Sequence, residues 1–160
     1  MQNLSVNEVI EFALNIERTG KAFYEGALQR KNLDDDARQL ITTLRNEEIM
    51  HEKYFKSLRD SDDLAELVDP DGWDMTSSYL DSIIKAHIFY NEGSSIKLAT
   101  EAKDTKEIIK YAMQFEKDTL LYFHSLYADT KETKAQKAIF NIIREEHKHL
   151  KKLQEMAKKF

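Results

Sequence analysis

Residues 37–58, ARQLITTLRNEEIMHEKYFKSL, decide how the chain is read. Ala37, Ile41, Leu44, Glu48, His51, Phe55 and Leu58 recur at alternating spacings of four and three, the period of one stripe on an α-helix that packs in an antiparallel bundle. Two members of that stripe are a carboxylate and an imidazole one turn apart, where the pattern calls for apolar side chains.

The same pattern returns at residues 135–156, AQKAIFNIIREEHKHLKKLQEM, at an offset of 98. Ala135, Ile139, Ile142, Glu146, His149, Leu153 and Met156 answer the first seven positions in order. A second pair of segments repeats at an offset of 99. EVIEFALNIERTGKAFY (8–24) matches EIIKYAMQFEKDTLLYF (107–123), so that Ile10, Ala13, Glu17, Gly20 and Tyr24 answer Ile109, Ala112, Glu116, Thr119 and Phe123. Each of these helices also carries one glutamate in its apolar stripe, and the small residues around Glu17 and Glu116 leave room between the helices.

Breaks in the pattern are few: DDD at 34–36, DSDD through DPDGW at 60–73, NEGSS at 91–95 and ADTKET at 128–133. They leave helices at about 6–30, 36–59, 76–90, 105–128 and 132–158. Ser5 or Asn7, the Asp34–Asp36 run, Thr76 or Ser77, and Asp104 or Thr105 are expected N-caps, because a short side-chain oxygen can accept an orphan backbone N–H. The expected fold is all-α: a four-helix bundle of two repeated hairpins, about 6–59 and about 105–158, in one domain spanning 1–160. A long crossover at about 60–104 joins them and contains a short helix, whose apolar residues Tyr79, Leu80, Ile83, Ile84, Ile88 and Phe89 are expected to cover the bundle or a partner subunit.

Composition narrows the function. Twenty-four Lys and Arg against 29 Asp and Glu give a formal net charge of −5, which offers no basic footprint for nucleic acid. No apolar run approaches the roughly 20 residues of a membrane span, and MQNLSVNEVIEF lacks the basic start of a secretory signal. A soluble, cytoplasmic protein that contacts neither membrane nor nucleic acid is expected. Cysteine is absent, so any metal must be held by oxygen and nitrogen.

If the hairpins pack about their local twofold axis, Glu17, Glu48, His51, Glu116, Glu146 and His149 meet at one level. Four buried carboxylates without partners repel and cost several kcal/mol each. Such a core either lifts carboxylate pKa values until some are protonated or holds cations; two divalent cations would neutralise four carboxylates, with two neutral imidazoles completing the donor set. One Glu from each of two helices plus Glu-x-x-His from each of the other two is the pattern of ferritin-like di-iron and di-manganese bundles.

These residues, with EEIMH at 47–51 and EEHKH at 145–149, resemble the ferritin-like superfamily and within it the rubrerythrin family, over nearly the whole chain. The resemblance implies that Glu48 and Glu146 bridge two iron ions, that Glu17 and Glu116 bind terminally, and that His51 and His149 each cap one ion. It further implies an oxidoreductase that reduces hydrogen peroxide or dioxygen, and a homodimer. Manganese or zinc can occupy such ligands as well. Full-length rubrerythrins carry a rubredoxin domain on four cysteines; here electrons are expected from a separate donor protein. Where rubrerythrins place an additional carboxylate one turn after the lone glutamate of the second hairpin, this chain has Thr119. Iron handling by ferroxidation, storage or delivery is the alternative function, and an interaction module with a vestigial site is a third.

Around the proposed ligands, Glu47 and Glu145 stand four residues before His51 and His149, where each is read either as orienting an imidazole through its second nitrogen or as a solvated charge. Tyr24 is read either as a hydrogen-bond donor to a ligand carboxylate or as core. His147, between Glu146 and His149, falls on another face and is expected to be exposed. His87 and His124 have no counterparts in the repeat and are expected at the surface or its boundary.

Overall fold

The computed structural model describes residues 4–89 and 91–160. It contains α1 (Val6–Leu28), α2 (Asp35–Arg59), α3 (Trp73–Ala86), α4 (Glu92–Glu101), α5 (Thr105–Tyr127) and α6 (Lys134–Ala157), with a short 3-10 helix at Asp62–Glu66. α1 packs along α2 and α5 along α6, forming the two expected hairpins, and α2–α6 and α1–α5 contacts join them into the bundle.

The stripe read from residues 37–58 is the buried face of α2, residue for residue: Ala37, Ile41, Leu44, Glu48, His51, Phe55 and Leu58. On α6 the match ends one position early, since Met156 is only half-buried and Ile143 joins the buried set. Met156 lies in the last turn of α6 and packs against the edge of the core.

Caps set the helix boundaries. Ser5 forms a capping box with Glu8, and Asp34, Asp104 and Thr133 accept backbone N–H groups at the starts of α2, α5 and α6. α1 lacks a basic residue in its last turn. Arg38 of α2 supplies the missing charge, donating to the carbonyls of Leu28 and Arg30 at 2.6 Å each. This fastens the tight connection of the first hairpin.

The crossover departs from the expected single short helix. α3 begins at Trp73, not 76, because Gly72 takes a left-handed conformation (φ 91°) that turns the chain out of Pro70-Asp71 into the helix; neither Thr76 nor Ser77 is the cap. NEGSS, read as a break, opens a further helix: Asn91 accepts the Ser94 N–H at 2.8 Å while the Ser94 hydroxyl faces the Asn91 backbone, a capping box that starts α4. α3 packs chiefly on α5 and α4 on α1. Leu80, Ile83 and Phe89 are buried, Ile84 and Ile88 pack against the core, and Tyr79 stays exposed. The crossover therefore covers the bundle with most of the expected face. An isolated antiparallel bridge between Val68 and Thr130, reinforced by Lys131 N–H donating to the Leu67 carbonyl at 2.9 Å, ties its start to the α5–α6 turn. Among the described residues no helix is long and apolar enough to cross a membrane.

Candidate metal centre

All six residues singled out by the repeat are buried: the four glutamates at 0 % exposure, His149 at 0 % and His51 at 3 %. They converge as two groups of four. Glu17, Glu48, His51 and Glu146 each offer a ligand atom within 4.8 Å of the others, and so do Glu48, Glu116, Glu146 and His149. Glu48 and Glu146 belong to both groups, whereas each of the other four belongs to one. Each group of four could hold a metal ion, and the two groups have two carboxylates in common.

Each imidazole is orientated by a carboxylate of the opposite hairpin. His51 Nε2 lies 2.6 Å from Glu145 of α6, and His149 Nε2 contacts Glu47 of α2. Glu47 and Glu145 therefore do contact imidazoles, but each contacts the other motif's histidine across the α2–α6 interface. A carboxylate only accepts, so Nε2 carries a proton; Nδ1 points inward and offers a lone pair whenever the ring is neutral. His51 Nδ1 is 2.9 Å from Glu146, and His149 Nδ1 is 2.8 Å from the other oxygen of the same carboxylate.

Without cations the centre is electrostatically frustrated. Burial, then the Glu146 and Glu17 charges, push the Glu48 carboxyl well above its ordinary range. Burial raises Glu116 to about 8, with Glu146 adding to the shift. Burial alone would depress the His51 imidazole, yet Glu146 and Glu17 outweigh it and raise it to about 12; Glu146 and Glu116 raise His149 likewise. Glu146 itself is held low, because the two histidine charges overcome its burial. The centre therefore favours positive charge among its carboxylates, whether carried by protons or by cations.

Hydrogen bonding shows the same vacancy of partners. Both carboxylate oxygens of Glu17, Glu48 and Glu146, one of Glu116, and Nδ1 of both histidines are buried without a hydrogen bond. Buried polar atoms are ordinarily paired; among the described residues, every unpaired buried side-chain atom except Asp129 Oδ2 belongs to one of these six residues. Their chemistry, hard oxygens with two imidazoles, fits two divalent first-row ions.

The surrounding shell holds these atoms in place. The Tyr24 hydroxyl donates to Glu116 at 2.7 Å; burial and the Glu116 charge keep the phenol protonated. Gly20 does not open space for an ion. A Cβ there would lie 2.5 Å from the Phe115 ring, which packs against Phe89, Tyr24 and His87, so the glycine admits an aromatic wall. Thr119 is buried and lies 3.3 Å from His87 Nε2. The expectation of a surface or boundary position for His87 is overturned: it is 4 % exposed, its Nδ1 accepts the Phe89 N–H at 3.1 Å, and its Nε2–H therefore faces Thr119. The non-repeating crossover brings it inward, and no periodicity in the sequence signals that. His147 and His124 are exposed, as expected, and lie outside the centre.

A recess of about 410 Å³ lined by Glu47, Met50, His51, Glu145, Lys148 and Lys152 opens from solvent onto the His51 imidazole. A more apolar cleft of about 460 Å³, lined in part by Ile109, Met113 and Phe160, contains none of the six residues.

The model of the ferritin-like domain family matches residues 5–159. A crystal structure from Thermotoga maritima, described as that of a candidate ferritin-like diiron-carboxylate protein, superposes with a TM-score of 0.69 at 20 % identity, covering 99 % of this chain and 97 % of that one. No curated protein matches the sequence.

Proposed function

This chain belongs to the ferritin-like domain family, and from that premise we propose that it is a di-iron oxidoreductase of rubrerythrin type, reducing hydrogen peroxide or dioxygen. The observation that carries the reading is the pair of four-donor groups sharing Glu48 and Glu146. Glu48 and Glu146, common to both groups, would be shared between two ions, Glu17 with His51 and Glu116 with His149 would complete the two donor sets, and the donor charges would sum to zero with two divalent cations. When bound, two ferrous ions supply one electron each, the two that a peroxide needs, with two protons, to become two waters.

The chain's own residues provide the rest. Glu145 and Glu47 hold the imidazoles with Nδ1 inward. Tyr24 fixes one oxygen of Glu116 and leaves the other for the metal. The recess beside His51 admits a molecule of peroxide's size, and its lining of Glu47, Glu145, Lys148 and Lys152 keeps that entrance wet. Re-reduction comes from a separate electron-donor protein, and the working unit is a homodimer.

Metal analysis of freshly purified protein should give two iron per chain, with both positions visible by anomalous scattering at the iron edge. Ferrous protein mixed anaerobically with peroxide should oxidise at one peroxide per iron pair, faster than free ferrous ion. Oxidation no faster than free ferrous ion rejects the activity. Many irons per chain would instead favour storage.

A further inference from the structure

Outside the bundle interior, two side chains that the centre does not use meet on the surface of the second hairpin. His124 of α5 and His147 of α6 are both exposed, and their Nε2 atoms lie 3.1 Å apart, with ring centroids separated by 5.3 Å and planes inclined at 62°. Neither belongs to the repeat that builds the interior: at the offsets of 99 and 98 the matching residues are Glu25 and Ile49. The pairing is therefore specific to α5 and α6 and is not a by-product of the duplicated ligand set.

We propose that His124 and His147 form a second, solvent-facing metal site for a borderline divalent ion, copper(II) first and zinc or nickel after it. The spacing is the ground for this. Two metal–nitrogen bonds of about 2.0–2.1 Å, opened between a right angle and the tetrahedral angle, hold their nitrogens about 3 Å apart, which is the separation already present. Both rings can use the same nitrogen, and an ion between them needs little movement of either helix. The donor set is nitrogen with water in the remaining positions, unlike the carboxylate-rich interior, so it selects ions that gain most from imidazole. Arg144 and Lys151 stand one turn to either side of His147 on α6. Their charge weakens the binding of every divalent cation alike and leaves the choice among ions to the imidazole donors. A groove of about 520 Å³ lined by Met75, Thr76, Tyr79, Ser125 and Ala128 runs up to His124 and leaves the site open from the α3 side.

The test is calorimetric titration of protein with its interior metals in place, using copper(II) or nickel(II) alone. One further equivalent is expected per chain, with nitrogen hyperfine structure in the copper resonance spectrum. His124→Ala and His147→Ala should each weaken that equivalent by at least about tenfold, and the double variant no further, while iron content of the interior stays that of the wild type. Both positions are exposed, so the variants should fold, and unchanged circular dichroism checks this. If either single variant binds the further ion as tightly as the wild type, or if the wild type binds it no better than the double variant, the site does not exist. Neither outcome bears on the interior centre, whose loading is read separately.

Discussion

Glu145 of α6 accepts the Nε2 proton of His51 of α2 at 2.6 Å, and the reciprocal contact joins Glu47 to His149. Each Glu-Glu-x-x-His segment thus completes the other: its second glutamate and its histidine face the interior, and its first glutamate holds the opposite imidazole from the solvent side. A consequence is that damage to one motif is felt at the ion held by the other.

Glu145→Ala should lower metal affinity about 10–100-fold at the position served by His51 and Glu17, and Glu47→Ala at the position served by His149 and Glu116. Competition against a chromophoric chelator measures both. The glutamine variants, which keep an acceptor, should lose less. Wild-type affinity in both alanine variants would mean that these carboxylates are only solvated charges.

Tyr24→Phe keeps the ring and deletes the hydroxyl that donates to Glu116. The repeat places Phe123 at the matching position, so the shape is tolerated in this bundle. The loss should be about 1–3 kcal/mol in urea unfolding, the range for a buried hydrogen bond to a charged group. A change below a few tenths of a kcal/mol would show that Glu116 finds another donor.

Gly20→Ala should destabilise despite the better helix propensity of alanine, a gain of about 1 kcal/mol. The added methyl meets the Phe115 ring at 2.5 Å, and that ring is boxed in by Phe89, Tyr24 and His87. Overpacking of this kind costs about 1–3 kcal/mol. Thermal unfolding gives the sign; a melting temperature above wild type would contradict the packing described.

His87 should make stability depend on pH. Burial lowers its pKa from 6.5 to about 4, with Asp118 opposing weakly. Between those values the unfolded chain binds a proton that the folded chain does not, so stability is full above pH 6.5 and falls as the pH drops toward 4. The full contribution is about 3 kcal/mol. His87→Gln, which cannot titrate, should flatten the difference in urea midpoint between pH 7 and pH 5 relative to the wild type. Parallel curves for the two proteins would show that His87 is not buried neutral.

The primary structure alone determined the bundle and the membership of its centre. Periodicity is a local property: once residues 37–58 and 135–156 are helices, the fixed turn of the helix puts Glu48 with His51, and Glu146 with His149, on the faces that carry Ile41, Leu44, Ile139 and Ile142. Repetition then supplied the symmetry that brings those faces together. Three things were decided only by tertiary packing. The crossing of Glu47 and Glu145 depends on how far side chains reach between facing helices, the inward turn of His87 depends on a crossover without periodicity, and the meeting of His124 with His147 depends on the stagger of α5 against α6. Spacing along a chain fixes which face a residue occupies; it does not fix the axial offset or the neighbour across the gap, and those set which atoms touch.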